Sequence, residues 1–168
     1  MKRIYFLRHA KSAWDSDAAS DHERPLAPRG VAAAGTIGRF LAAVGQVPDA
    51  IVTSSALRAR STVELASEAG GWDVEVQIGP DLYGASPDRL LHEVRRQPQG
   101  ASRLLLVGHQ PTWSETVGLF VGQAEVKMVT AALARVDLWS EQWTDADFGR
   151  GVLAWLVTPK VLQRGLGI

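Results

Sequence analysis

Residues 103–107, Arg-Leu-Leu-Leu-Val, constrain the fold of this chain more than any other stretch. A short apolar run without polar alternation reads as a strand covered on both faces, and such strands belong to parallel sheets sandwiched between helices. Ile4-Tyr5-Phe6-Leu7 and Ala50-Ile51-Val52-Thr53 fit the same sheet. The stretches between them carry helical spacing. After Pro28, which suits a first helical turn, Ala34, Ile37, Leu41 and Val44 form one apolar stripe that stops at Gly45. Ala59, Val63 and Ala66 repeat the pattern behind Ser54-Ser55, read as a helix N-cap, and end at Gly70-Gly71. Ser86-Pro87 opens a helix carrying Leu90, Leu91 and Val94, and Pro111 opens another that runs through Phe120. Further strands are expected over 73–78, 130–139 and 152–157. Strands alternating with helices predict an α/β protein, a three-layer α/β/α sandwich with a mostly parallel central sheet. Residues 1–168 are expected to form one domain.

Composition narrows the chemistry. Lys and Arg number 18, as do Asp and Glu, so the formal charge is zero and makes no case for a nucleic-acid or acidic-membrane partner. Any attraction for anions must be local. The absence of cysteine excludes disulfides, thiolate nucleophiles and thiolate metal sites together. No apolar run approaches the ~20 residues of a membrane span, and Met1-Lys2-Arg3 leads directly into a strand without a signal-peptide pattern. A cytoplasmic location is expected.

Three of the strand ends carry unusual residues. Arg8-His9 closes the first, Arg58 sits just beyond the second, and Gly108-His109 closes the run at 103–107. In a parallel sheet these ends lie along one edge, where ligands bind. Guanidiniums offer forked donors and helix N-termini offer free N–H groups, so the cluster describes an anion site. A phosphoryl group, with three equatorial oxygens to neutralise, fits it better than a carboxylate. Among such cations the charged form of an imidazole is disfavoured, which leaves His9 neutral and able to attack. Without a nucleophile the same site would only bind phosphate.

Leu7-Arg8-His9-Ala10-Lys11-Ser12 resembles the Arg-His-Gly signature of the histidine phosphatase superfamily, with Ala10 where Gly is usual. Ser54-Ser55-Ala56-Leu57-Arg58-Ala59 is similar to that family's Ser-Pro-x-x-Arg-Ala element, and Gly108-His109 to its second histidine. Asp21-His22-Glu23-Arg24-Pro25-Leu26-Ala27-Pro28-Arg29-Gly30 resembles the Arg-Pro-Leu-x-x-x-Gly segment of the short SixA-like phosphohistidine phosphatases. The resemblance implies a phosphoglycerate-mutase-like fold and two-step phosphoryl transfer with His9 as nucleophile. Arg8, Arg58 and His109 would hold the phosphate, with Ser12 and Arg24 as further phosphate-binding candidates. No cofactor or metal is implied.

Two roles are less well filled. Asp15 stands where the family often has Asn, and a carboxylate there would repel a phosphate dianion. Asp81, after the strand expected at 73–78, is the candidate general acid. A leaving imidazole can carry its own proton, so a weak acid favours phosphohistidine over an alkyl ester. Trp14 is near enough in sequence to line the pocket, whereas His22 reads as a surface loop residue. The chain has no length for a capping segment between Arg58 and His109, so the site should be shallow and open to a phosphohistidine protein. The expected molecule is a monomeric phosphohistidine phosphatase. Its alternatives are a small-molecule phosphomonoesterase and a non-catalytic phosphate-binding module.

Overall fold

The computed structural model describes residues 1–165 and residue 167. Strands β1 (Arg3–Arg8), β2 (Ala50–Ser54), β3 (Val76–Gly79), β4 (Arg103–Gly108), β5 (Leu133–Leu138) and β6 (Gly151–Val157) form one six-stranded sheet in the order β3-β2-β4-β1-β5-β6. The first four run parallel, and β5 and β6 are antiparallel additions on the β1 side. Helices α1 (Pro28–Ala43), α2 (Leu57–Gly70), α3 (Pro87–Arg95), α4 (Thr112–Phe120) and α5 (Pro159–Gly165) cover the two faces.

Alternation along the central strands divides the core. Tyr5, Leu7, Leu105 and Val107 point to one face, where Ile37 and Leu41 of α1, Val63 and Ala66 of α2 and Leu162 of α5 bury them. Ile4, Phe6, Leu104 and Leu106 point to the other, against Leu90 and Val94 of α3 and Trp113, Val117 and Phe120 of α4. The apolar run at 103–107 is therefore covered on both sides, and the expected three-layer, mostly parallel architecture is what the chain adopts.

Local differences have local causes. The third strand begins at Val76, not at residue 73, because only Val76–Gly79 pairs with β2. The N-cap of α2 is Ala56, whose side chain cannot cap, and Ser54 and Ser55 bond to histidines instead. Ser86 does cap α3, its hydroxyl accepting from the Arg89 amide at 3.3 Å. Residues Pro159–Gly165, where the residue pattern predicts no element, form α5.

Two glycines set the spacing around the edge where β1 and β4 end. A Cβ on Gly30 would lie 2.2 Å from the Lys11 carbonyl oxygen, which accepts from the Ala27 amide at 2.8 Å. The start of α1 thus presses directly on the turn after β1. A Cβ on Gly108 would fall 2.1 Å from the Trp113 ring, which is fully buried below the strand end and donates its indole N–H to the Leu106 carbonyl at 3.2 Å.

Candidate active site

The β1–β4 ladder brings the two histidines together. Arg8 is in register with Gly108, and the His9 amide donates to the Gly108 carbonyl at 2.9 Å. His9 and His109 therefore leave adjacent strands side by side, with ring centroids 5.1 Å apart. From the end of β2, the Ser54 hydroxyl lies 2.8 Å from His109 Nε2. Arg58, in the first turn of α2, is 5 % exposed. Thr62, one turn on, donates its hydroxyl to the Arg58 carbonyl at 2.6 Å and accepts from the Ala10 amide at 2.9 Å, pinning the turn after β1 to α2.

The loop at 13–27 folds back over this edge. Ala13 donates to Pro25 at 3.0 Å, Ala27 donates to Lys11 at 2.8 Å, and Ser12 bridges Leu26. That short ladder carries Arg24 to the site and buries Ser12. Arg8, His9, Ser12, Arg24, Arg58 and His109 consequently line one cavity of about 180 Å³, whose wall Lys11, Trp14, Gln110 and Thr130 complete.

Among the residues that line it, several side-chain nitrogens are buried without a protein partner: Arg8 Nε, Arg24 Nε and Nη1, Arg58 Nε and His109 Nδ1. Leaving buried polar groups unpaired costs roughly 1–3 kcal/mol each. The guanidinium donors among them, on residues that line one cavity, describe a place for an anion rich in acceptors.

His9 Nδ1 lies 2.7 Å from the Ala10 carbonyl, which can only accept. Nδ1 therefore carries the proton, and Nε2 keeps its lone pair. Burial pushes the His9 imidazole down to about 4, with Arg58, Arg8 and Arg24 adding repulsion against the bond to Ala10 that opposes them. Burial, then His9 and Arg58, push His109 down to about 3. Both rings are neutral at pH 7. In an imidazole NMR titration His9 should stay neutral until the pH falls through about 4. A midpoint near the ordinary 6.5 would remove the case for a neutral nucleophile. The unfolded chain binds these protons near pH 6.5, so their contribution to stability is full above that pH and is lost as the pH falls toward 4 and 3.

Not every expected residue reaches the site. Asp81 is exposed on the short turn Pro80–Leu82, paired with Arg89 of α3, and does not line the cavity. Asp15 is exposed on the loop and also stands outside the lining. His22 is half-buried rather than a free surface residue: its Nε2 lies 2.9 Å from the Ser55 hydroxyl, and its ring meets Tyr83 edge-on.

Asp21 is the residue that the sequence reading missed. Its Oδ2 accepts from Arg58 Nη2 at 2.9 Å and from the Tyr83 hydroxyl at 2.8 Å, its Oδ1 pairs with Arg24 Nη2 at 2.9 Å, and its carbonyl takes Arg58 Nη1 at 2.5 Å. The Tyr83 hydroxyl foremost, with Arg58 and Arg24, holds this carboxyl below the usual carboxylate range. Only its place three residues before Arg24 could have signalled it, since Arg58 lies 37 residues away in sequence.

Residues 4–86 match the sequence profile of the histidine phosphatase superfamily (branch 1). The uncharacterized protein Rv1276c of Mycobacterium tuberculosis is 40 % identical over 128 residues, 76 % of each chain. A candidate phosphohistidine phosphatase SixA from Nakamurella multipartitia superimposes with a TM-score of 0.80 at 30 % identity, covering 94 % of this chain and 96 % of that one. The protein histidine phosphatase SixA complexed with tungstate gives 0.83 at 22 % identity, over 95 % and 99 %, a likeness of fold.

Proposed function

Since this chain belongs to the histidine phosphatase superfamily, we propose that it hydrolyses phosphohistidine on another protein, in two steps, through a phosphohistidine of its own at His9. In the first step the Nε2 lone pair attacks phosphorus while the P–N bond to the substrate imidazole breaks, and that imidazole departs with its proton drawn from solvent. In the second, water attacks the phosphoryl group on His9, inorganic phosphate leaves, and the neutral ring returns. The unpartnered guanidinium nitrogens of Arg8, Arg24 and Arg58, on residues that line the His9 cavity beside His109, carry this reading. On this reading they neutralise charge spread over the equatorial oxygens, a role that metal ions fill in other phosphoryl-transfer sites. The reaction is accordingly read as metal-independent.

Size favours a protein substrate. A cavity of about 180 Å³ takes a phosphoryl group but not its carrier, falling below the roughly 300–1,000 Å³ of small-ligand pockets. Chemistry favours the phosphoramidate. Asp81, bound to Arg89 outside the cavity, offers no acid to a leaving alkoxide. The 30 % identical SixA neighbour supports the same substrate class. Among the described residues no helix is long and apolar enough to cross a membrane. A cytoplasmic, single-domain monomer acting in phosphohistidine signalling belongs to the same proposal.

The test is a pair of peptides of one sequence, bearing phosphohistidine or phosphoserine, assayed in chelator. An ester deprived of its general acid should be slower by about 100-fold or more in kcat/KM. Comparable or faster phosphoserine cleavage would make the chain a general phosphomonoesterase. Phosphate binding with no turnover of either would make it a binding module.

A further inference from the structure

The geometry points to Trp14 as a platform on which the ring of the leaving group stacks, with Arg24 as its support. Trp14 lines the same cavity as His9, yet 73 % of it is exposed. The Arg24 guanidinium lies 3.8 Å from the indole centroid, a stacking distance, and Lys11 Nζ lies 5.9 Å from it. Arg24 is no loose surface arginine. Its Nη2 is bonded to Asp21 Oδ1 at 2.9 Å, and the other oxygen of that carboxylate holds Arg58 Nη2 at 2.9 Å. One carboxylate therefore fixes both the guanidinium aimed at the phosphate and the guanidinium that props the indole. The position of the ring is tied to the position of the phosphoryl group.

A flat leaving group emerging from over His9 meets this exposed indole at the rim. Beside the cavity the Tyr83 and His109 rings pack at right angles, 5.4 Å between centroids. The substrate class that gains from such a rim is a phosphoramidate whose nitrogen belongs to an aromatic ring, as in phosphohistidine. A phosphoramidate with no ring gains nothing there. This deepens the phosphohistidine reading and rests on it.

The test compares the wild type with Trp14→Ala and Trp14→Phe on a phosphohistidine peptide and on phosphoramidate, which has the same P–N bond and only ammonia to lose. An aromatic contact of ordinary strength predicts that Trp14→Ala lowers the ratio of kcat/KM for phosphohistidine over phosphoramidate by about five- to ten-fold. Trp14→Phe should restore most of that ratio. An equal loss on both substrates would make Trp14 a mere brace for Arg24, and no loss on either would leave it a bystander; both overturn the proposal. A wild type that cleaves phosphoramidate and aryl phosphates but ignores phosphohistidine defeats the substrate reading alone. The platform is then judged by the same ratio for p-nitrophenyl phosphate over phosphoserine.

Discussion

Replacing His9 with alanine is expected to abolish turnover of every substrate, lowering kcat by at least about 10³-fold, because His9 supplies the free Nε2 lone pair, whereas the His109 Nε2 is engaged with the Ser54 hydroxyl. The effect should be chemical, not structural. The His9 side chain makes one hydrogen bond, to its neighbour's carbonyl, while its strand is held by backbone bonds on both sides that alanine leaves untouched. Melting temperature should therefore stay close to that of the wild type. Rapid acid-free quenching of the wild type with ³²P-labelled substrate should trap a label that survives base and is lost in acid, as a P–N bond is. His9→Ala should carry none. A variant retaining a tenth of the wild-type rate would show that water is attacking the substrate directly.

Arg58→Ala is expected to cost about 10²- to 10³-fold in kcat, the usual loss when a fixed donor to a developing charge is removed. The fork matters as much as the charge. Both terminal nitrogens of Arg58 engage Asp21, which fixes the plane of a guanidinium whose residue lines the cavity. Lysine supplies a point charge without that orientation, so Arg58→Lys should recover little of the loss. Steady-state kinetics on the phosphohistidine peptide check both variants. A Lys variant within a few-fold of wild type would mean that Arg58 contributes charge alone.

The parts of the site that were legible in the sequence share one property: each lies at the end of an apolar strand. Arg8-His9 and His109 could be placed without coordinates because strand ends of a parallel sheet meet at one edge, and the β1–β4 register does the rest. Arg58 followed because helices after such strands begin at the same edge. Asp21 and His22 were not legible, since their partners are reached through a loop whose path depends on the short ladder between residues 11–13 and 25–27. Ser54 and Ser55 were misread as caps for a related reason. A serine before a helix serves the backbone by default, and only the arrival of His109 and His22 from elsewhere gives these hydroxyls other partners. Asp81 fitted by position along the chain, but Arg89 on the next helix takes its carboxylate. The fold was more readable than the site. The antiparallel direction of β5 and β6 escaped notice, as residue pattern alone does not encode strand polarity.

The β1–β4 register has a mechanical consequence. Neighbouring strands sit about 4.8 Å apart, and the two imidazole centroids are 5.1 Å apart. The gap between the two imidazoles thus follows the lattice spacing of the sheet, and pulling their backbones apart means breaking hydrogen bonds in the middle of a core buried on both faces. A ruler of this stiffness needs no closing motion to set the distance between the two rings. The sheet thus fixes where the two histidines leave the backbone, and the Ala10 carbonyl and Ser54 hydroxyl hold their rings.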